Sequence, residues 1–277
     1  MKKFRISRNK PARIAAGLLA LCIVAGLLYF AVGLLGNPVS WALATRTAQK
    51  HLAANYAGTD YKIDTVSYDF KTGGYWAHVN SPTLQDGSFT LHFNMAGKLT
   101  GDDYDYRVTG GGNVMYRVRS EFRTLTDGVL KSPAFPYDFT IGYCELEFDW
   151  SIDEEPFPNA LGREDLENGR IYDVGAMGTT NGHLVLYLDV DAVTPEKAAE
   201  ILKTAKGLFD SAGIGCYTVD LLLRYPPYEP GGHQRPEGEL RLRGFLYEDI
   251  DGDGLLERIE KCRKDTLDYY AAKDAEK

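Results

Sequence analysis

The stretch "VSYDFKTGGYWAHVNSPTLQDGSFTLHFNM", residues 66–95, decides the fold of the first half of the chain. Apolar and polar residues alternate along three segments that are separated by glycine- and proline-bearing turns, which is typical of half-buried β-strands. The predicted register pairs Phe70 with Tyr75 in the first hairpin and Val79 with Leu91 in the second. Apolar residues then share one face, which indicates a three- or four-stranded antiparallel meander with one covered face.

The same register predicts a polar opposite face, on which His78 lies directly across from His92. Cross-strand neighbours have Cβ atoms about 5 Å apart, and Asp69 lies on the same face. Two imidazoles and a carboxylate are normal ligands of a divalent metal ion. The alternative is that the polar residues only alternate because this face is solvated or contacts another domain.

A helix precedes the meander and is predicted to cover its apolar face. Asn37 can cap this helix and Pro38 can open it, and Trp41, Ala44, Ala48, Leu52 and Tyr56 follow at helical spacing. Together with the strands it forms a small α-β-β-β domain, predicted over residues 37–109. Gly110–Gly112 predict a hinge, and Asn113 is predicted to cap the next helix.

Residues 113–277 predict a second domain, a two-layer α/β sandwich with a mostly antiparallel sheet. Strand patterns such as "HLVLYLDV" and "CYTVDLLLRYP" alternate with helical patterns, one of which opens at Thr194-Pro195. Alternation of strands and helices with an antiparallel final pair favours the α+β class for the whole chain.

The segment "IAAGLLALCIVAGLLYFAVGLL", residues 14–35, runs 22 residues without a charge. As a helix it would be about 33 Å long, enough to cross a hydrocarbon core of roughly 30 Å. Residues 1–13 contain six basic residues and no acidic one, so we expect this segment to stay in the cytoplasm and the rest to lie outside it. A signal anchor is favoured over a cleaved signal peptide, because the apolar run is longer than a usual signal sequence.

The charge balance limits the partners of the exported part. The chain has 31 basic and 39 acidic residues. Without the six basic residues of residues 1–13, which we call the basic leader, the remainder has a net charge of about −14. Such a surface repels nucleic acids and other anionic polymers, so nucleic-acid binding is not expected.

Three cysteines follow the apolar segment, which is not a disulfide framework. Cys144 and Cys216 both fall in predicted strands, so a single bridge between them is one alternative. Three buried thiols, with Cys262 as the third, is the alternative that we favour.

The loop in "LYEDIDGDGLLERIEKC", residues 246–262, has the spacing of a calcium loop. The D-x-D-x-D-G-x5-E pattern supplies oxygen ligands to Ca²⁺. The candidate ligands are Asp249, Asp251, Asp253, the Leu255 carbonyl group, Glu257 and Glu260. A strand rather than a helix enters this loop, and the same residues also suit a turn that caps the last helix.

The sequence contains none of the usual nucleophile-elbow, zinc-protease, redox or phosphate-loop motifs. His51, His183 and His233 have no spacing relation to a nucleophile. The order of the apolar anchor, "GNPVSWALATRTAQKHLAANY", "VSYDFKTGGYWAHVNSP" and "DDYDYRV" resembles the YfjL-like family of membrane-anchored proteins from Gram-positive bacteria, and the second half is similar to that family too. The resemblance implies a membrane anchor and carries over no active-site residue.

These observations predict a non-enzymatic, single-pass anchored protein. Its extracytoplasmic domains would bind another envelope protein, a peptide or a wall component, and no cofactor is expected apart from Ca²⁺. One alternative is a calcium-stabilised or calcium-responsive module that uses the 249–260 loop. A second alternative is an envelope hydrolase with a site around His78, His92 and Asp69.

Overall fold

The computed structural model describes residues 10–148, 157–229 and 238–275. The chain forms two compact units, residues 1–109 and residues 110–277. The first unit contains α1 (Lys10–Leu35), α2 (Pro38–Asn55), β1 (Lys62–Asp69), β2 (Gly74–Asn80), β3 (Phe89–Phe93) and β4 (Leu99–Asp102). The second contains α3 (Gly112–Leu130), β5 (Ile141–Leu146), α4 (Val174–Asn181), β6 (Gly182–Asp189), α5 (Pro195–Ser211), β7 (Thr218–Arg224), β8 (Glu239–Leu246) and α6 (Leu255–Ala275). The predicted α+β class is confirmed.

Helix α1 contains the apolar segment, and its side chains are almost all exposed. Leu27 and Leu28 are 65% and 62% exposed. Among the described residues, one helical stretch is long and apolar enough to cross a membrane, and it starts at Arg13. Most of the predicted basic leader, residues 1–9, lies outside the described residues.

Helix α2 begins as predicted, because the Asn37 side chain accepts a hydrogen bond from the Ser40 backbone and Pro38 occupies the first turn. Ala44 and Ala48 are fully buried against the apolar face of the meander. The small side chains let the helix approach the sheet closely, which confirms the predicted cover of that face.

The first sheet is a four-stranded antiparallel meander in the order β1-β2-β3-β4. The predicted register is wrong by two residues, because Tyr75 pairs with Tyr68 rather than with Phe70. Phe70 instead lies in a tight turn, which the Gly73 backbone closes by donating to the Asp69 carbonyl oxygen at 2.9 Å. A shift of two residues keeps each side chain on its face, so the prediction of one apolar and one polar face is confirmed.

The second sheet has the order β5-β6-β7-β8, and of its three strand pairs only β6–β7 is parallel. Helix α5 is the connection between these two strands, as a parallel pair requires. The buried side chains of α3, α5 and α6 pack on the sheet face that carries Leu184, Leu186 and Leu221. A two-layer sandwich results, as predicted.

The start of α3 differs from the prediction. Gly111 rather than Asn113 is the N-terminal cap residue, with a φ of 74° and no side-chain cap bond. A side chain at Gly111 would collide with the Arg163 carbonyl oxygen, so glycine is required there for both conformation and space.

Candidate functional site

The 249–260 loop is stabilised by an arginine from its own helix. The Arg258 guanidinium donates to the Asp249 carbonyl oxygen at 2.7 Å and to the Asp253 carbonyl oxygen at 2.6 Å. Lys206 lies 3.5 Å from the Asp251 carboxylate. Cations of the chain itself therefore compensate the negative charge of this loop.

The remaining candidate calcium ligands, Leu255, Glu257 and Glu260, all lie in α6. Leu255 begins this helix, with a side chain that is buried in the core. Glu257 is in its first turn, and Glu260 lies 3.6 Å from Arg263. Across the described ranges, no group of three or more His, Cys, Asp or Glu side chains is arranged to hold a metal ion. The loop thus has the sequence spacing of a calcium site, but in the described residues its carboxylates do not converge on one point.

The polar face of the first sheet does not bring His78 and His92 into direct opposition. His78 pairs with Thr90, and His92 pairs with Trp76 and lies 5.1 Å from its ring. The predicted pairing of the two histidines is wrong for the reason given above, namely that the turns shift the register by two residues.

The Asp69 carboxylate accepts hydrogen bonds within the turn that joins β1 and β2. It accepts from the Thr72 hydroxyl group at 2.8 Å and from the Lys71 backbone at 3.1 Å. These hydrogen bonds lower the pKa of Asp69, the Thr72 bond most strongly. Asp69 therefore stabilises the turn, and the three residues of the predicted metal site are dispersed along the sheet.

A cluster of titratable residues that the sequence did not single out lies on the second sheet. His183 is in β6, and its side chain is 23% exposed between two carboxylates. Its Nδ1 atom is 3.8 Å from Glu147 and its Nε2 atom is 3.4 Å from Asp220. Each ring nitrogen therefore faces an acceptor.

This geometry stabilises the charged form of the imidazole. Burial alone would lower the pKa of His183, but the interactions of its ring with the Asp220 and Glu147 carboxylates outweigh burial and raise the pKa to about 9. For Asp220, burial raises the pKa, and the nearby His183 ring together with the hydrogen bond from the Gly244 backbone outweighs burial and lowers it. At neutral pH the site is an imidazolium ion between two carboxylates.

Neighbouring groups hold the two carboxylates in place. The Gly244 backbone donates to Asp220 at 2.7 Å, and Arg119 lies 3.8 Å from Glu147. A ring of Phe157 stands edge-on to the His183 ring, with centroids 6.4 Å apart. The side chains of this cluster are therefore held by hydrogen-bond, charge and ring contacts.

The sheet face around His183 combines these charges with aromatic and aliphatic residues. It is opposite to the face that carries Leu184, Leu186 and Leu221. Its half-buried or exposed members include Tyr143, Tyr187, Asp189, Arg224 and Ile141, which is 44% exposed. Arg224 donates to Asp189 at 2.7 Å, so this pair is also fixed. We refer to these residues, with His183, Glu147 and Asp220, as the His183 face.

The protonation state of His183 limits the chemistry that this cluster can perform. A histidine with a pKa of about 9 is already protonated at pH 7 and does not act as a general base. Sequence reasoning missed the cluster because Glu147, His183 and Asp220 come from three segments. Their proximity depends on the strand order β5-β6-β7, which no local motif encodes.

Comparison with known proteins agrees with the resemblance noted in the sequence. The sequence model described as "YfjL-like, N-terminal domain" matches residues 11–112, and the one described as "YfjL-like C-terminal domain" matches residues 121–260. No curated protein and no solved structure matches the chain significantly. Since the two matches together cover most of its length, the chain belongs to the YfjL-like family.

Proposed function

We propose that this chain is a non-enzymatic binding module that is anchored to the bacterial membrane by α1 and held outside the cytoplasm. Its His183 face would bind another envelope protein, a peptide or a wall component. The observation that carries this proposal is the charge-compensated His183 face, which lies on the side of the second sheet opposite to Leu184, Leu186 and Leu221.

The composition of the His183 face supports recognition of a polymer. Interfaces are enriched in aromatic residues and arginine, which provide contact area at a small entropic cost. Tyr143 and Tyr187 supply aromatic surface, and Arg224 and Asp189 supply fixed charges of both signs. Because the exported part has a net charge of about −14, a neutral or cationic partner fits better than an anionic one.

The exposure of α1 supports the membrane anchor. A water-soluble protein rarely exposes an apolar surface of this size, whereas a bilayer would cover it. The basic leader supports a cytoplasmic amino terminus. The hydroxyl group of Tyr68 in β1 donates to the Gly33 carbonyl oxygen in the last turns of α1 at 2.8 Å. The first sheet would therefore lie at the membrane–water interface on the extracytoplasmic side.

Site-specific photo-crosslinking in intact cells tests the binding proposal. A photoreactive amino acid at Tyr187 reports on the His183 face, and the same amino acid at Leu125, an exposed position of α3, is the matched control. We expect a defined adduct from position 187 and none from position 125. Equal adducts from both positions, or none from either, would contradict a role of this face.

A second experiment separates binding from catalysis. The purified full-length protein is incubated with cell-wall peptides and glycans, and the products are analysed by mass spectrometry. The proposal expects unchanged substrates. If the wild-type protein converts a substrate and the His183→Gln variant does not, the protein is an enzyme and the proposal of a non-enzymatic binding module is wrong.

A further inference from the structure

Two thiol groups meet in the core of the second unit. Cys144 lies in β5, Cys216 lies just before β7, and their Sγ atoms are 3.4 Å apart. Cys144 is 1% exposed and Cys216 is 5% exposed. The two residues are 72 positions apart in the sequence, so the fold rather than local chain geometry brings them together.

The backbone on both sides of Cys216 is held in place. Gly215 donates to the Gly175 carbonyl oxygen at 3.0 Å, and Tyr217 donates to the Gly182 carbonyl oxygen at 2.8 Å. Cys144 is fixed by its pairing with Leu184 in β6. A disulfide bond is about 2.05 Å long, so the sulfur atoms must approach by more than 1 Å to form one.

The two cysteine residues differ in exposure and in their position relative to a cleft. Cys216 lines a cleft of about 600 Å³, together with Thr179, Lys206, Tyr217 and Tyr247. Cys144 does not line this cleft, and it is the more deeply buried of the two. A reagent in the cleft would therefore meet Cys216 first.

We propose that Cys144 and Cys216 are a dithiol that a disulfide compound entering this cleft oxidises to an intramolecular disulfide. The Cys216 thiolate attacks one sulfur atom of the incoming disulfide, which forms a mixed disulfide and releases one thiol. The Cys144 thiolate then attacks the Sγ atom of Cys216, forms the internal bond and releases the second thiol. Two protein thiols are oxidised, one external disulfide is reduced to two thiols, and both protein protons go to the released thiolates.

The bond would cross-link β5 to the start of β7 across β6 and would constrain the unfolded chain. Closing a loop of this length corresponds to a rise in melting temperature of roughly 10 °C for a domain of this size. Burial raises the pKa of the Cys144 thiol, so its thiolate is scarce in the native state. The exchange is therefore expected to be slow and the bond, once formed, to be shielded from reductants.

The test uses the full-length protein in detergent, treated with glutathione disulfide, quenched with acid, denatured and alkylated without reduction. Peptide mass spectrometry should find Cys144 joined to Cys216, together with the rise in melting temperature. The variant Cys144→Ser should stop at a mixed disulfide between Cys216 and glutathione. Cys216→Ser should leave Cys144 unmodified, and Cys262→Ser is the matched control that should retain the cross-link.

Recovery of both residues as alkylated thiols from the oxidised wild-type protein would overturn the proposal, and so would a bond from either one to Cys262. The mapping of the wild-type cross-link does not depend on whether the variants fold. It is also independent of the partner and of the membrane side, so it can fail or succeed separately from the proposed binding function.

Discussion

Replacing His183 should remove a pH-dependent contribution to the stability of the second unit. The pKa of His183 is raised from its ordinary value of 6.5 to about 9, so between these pH values the folded protein holds a proton that the unfolded chain releases. The stabilisation is fully present below pH 6.5 and is lost as the pH rises through 9. A shift of this size corresponds to about 3 kcal/mol of unfolding free energy.

The assay is urea unfolding of the full-length, reduced protein in detergent at pH values from 6 to 10. Unfolding of the second unit is followed by alkylation of Cys144 and Cys216, which are buried in the folded protein. The difference in unfolding free energy between wild type and His183→Gln should fall by about 3 kcal/mol across this window. His78→Gln is the control, because His78 lies in the first unit.

A constant difference between wild type and His183→Gln from pH 6 to pH 10 would refute this reasoning. It would mean that Asp220 and Glu147 do not stabilise the imidazolium ion. A histidine NMR titration gives an independent check, since the His183 signal should titrate near pH 9 and should be absent from the variant.

Three further predictions concern other parts of the chain. Calorimetric titration with Ca²⁺ should give no binding heat at the 249–260 loop, because Arg258 and Lys206 already compensate the Asp249 and Asp251 carboxylates; saturable heat that Glu260→Gln removes would contradict this. An environment-sensitive dye on Phe70→Cys should shift to the blue in nanodiscs, because Tyr68, two residues before it, donates a hydrogen bond to the Gly33 carbonyl oxygen near the end of α1. The same dye on Ala54→Cys, an exposed position at the far end of α2, should not shift, and equal spectra would count against contact with lipid. In denaturant unfolding, Gly178→Ala should destabilise the protein by about 2 kcal/mol, because its Cβ atom would collide with the Gly215 carbonyl oxygen. Gly207→Ala, in an open part of α5, should stabilise it by up to about 1 kcal/mol, and equal effects of the two changes would contradict the predicted collision.

Much of the fold could be predicted because it rests on local signals. Thr194 and Pro195 predict the start of α5, where the Thr194 side chain indeed accepts from the Lys197 backbone. The faces of the meander followed from alternation alone. Its register did not, because a shift of two residues leaves the alternation unchanged and only the hydrogen bonds of the Phe70 turn decide between the alternatives.

Helix α4 was not predicted, and its sequence explains why. The segment "VGAMGTTN" is short and has no amphipathic stripe. Its glycines are needed for another purpose, since Gly178 lets the helix lie against the Gly215 backbone. The packing partner that stabilises this helix is distant in sequence, so no local pattern reveals it.

The candidate sites show the same limit of local reasoning. The 249–260 loop matches a ligand spacing, but Arg258, at a position that the motif leaves open, provides the positive charge. The His183 cluster has no motif, and it exists because β6 lies between β5 and β7. Spacing describes which side chains are available, whereas the strand order determines which of them meet.

Labelling of intact cells with a membrane-impermeant maleimide tests the proposed topology most directly. Leu125→Cys introduces an exposed thiol in the second unit, and the unmodified chain gives the background from its native cysteines. Lys3→Cys is the control for the opposite side of the membrane. We expect labelling of position 125 in intact cells and of position 3 only after permeabilisation. Labelling of position 3 in intact cells, with position 125 protected, would contradict it.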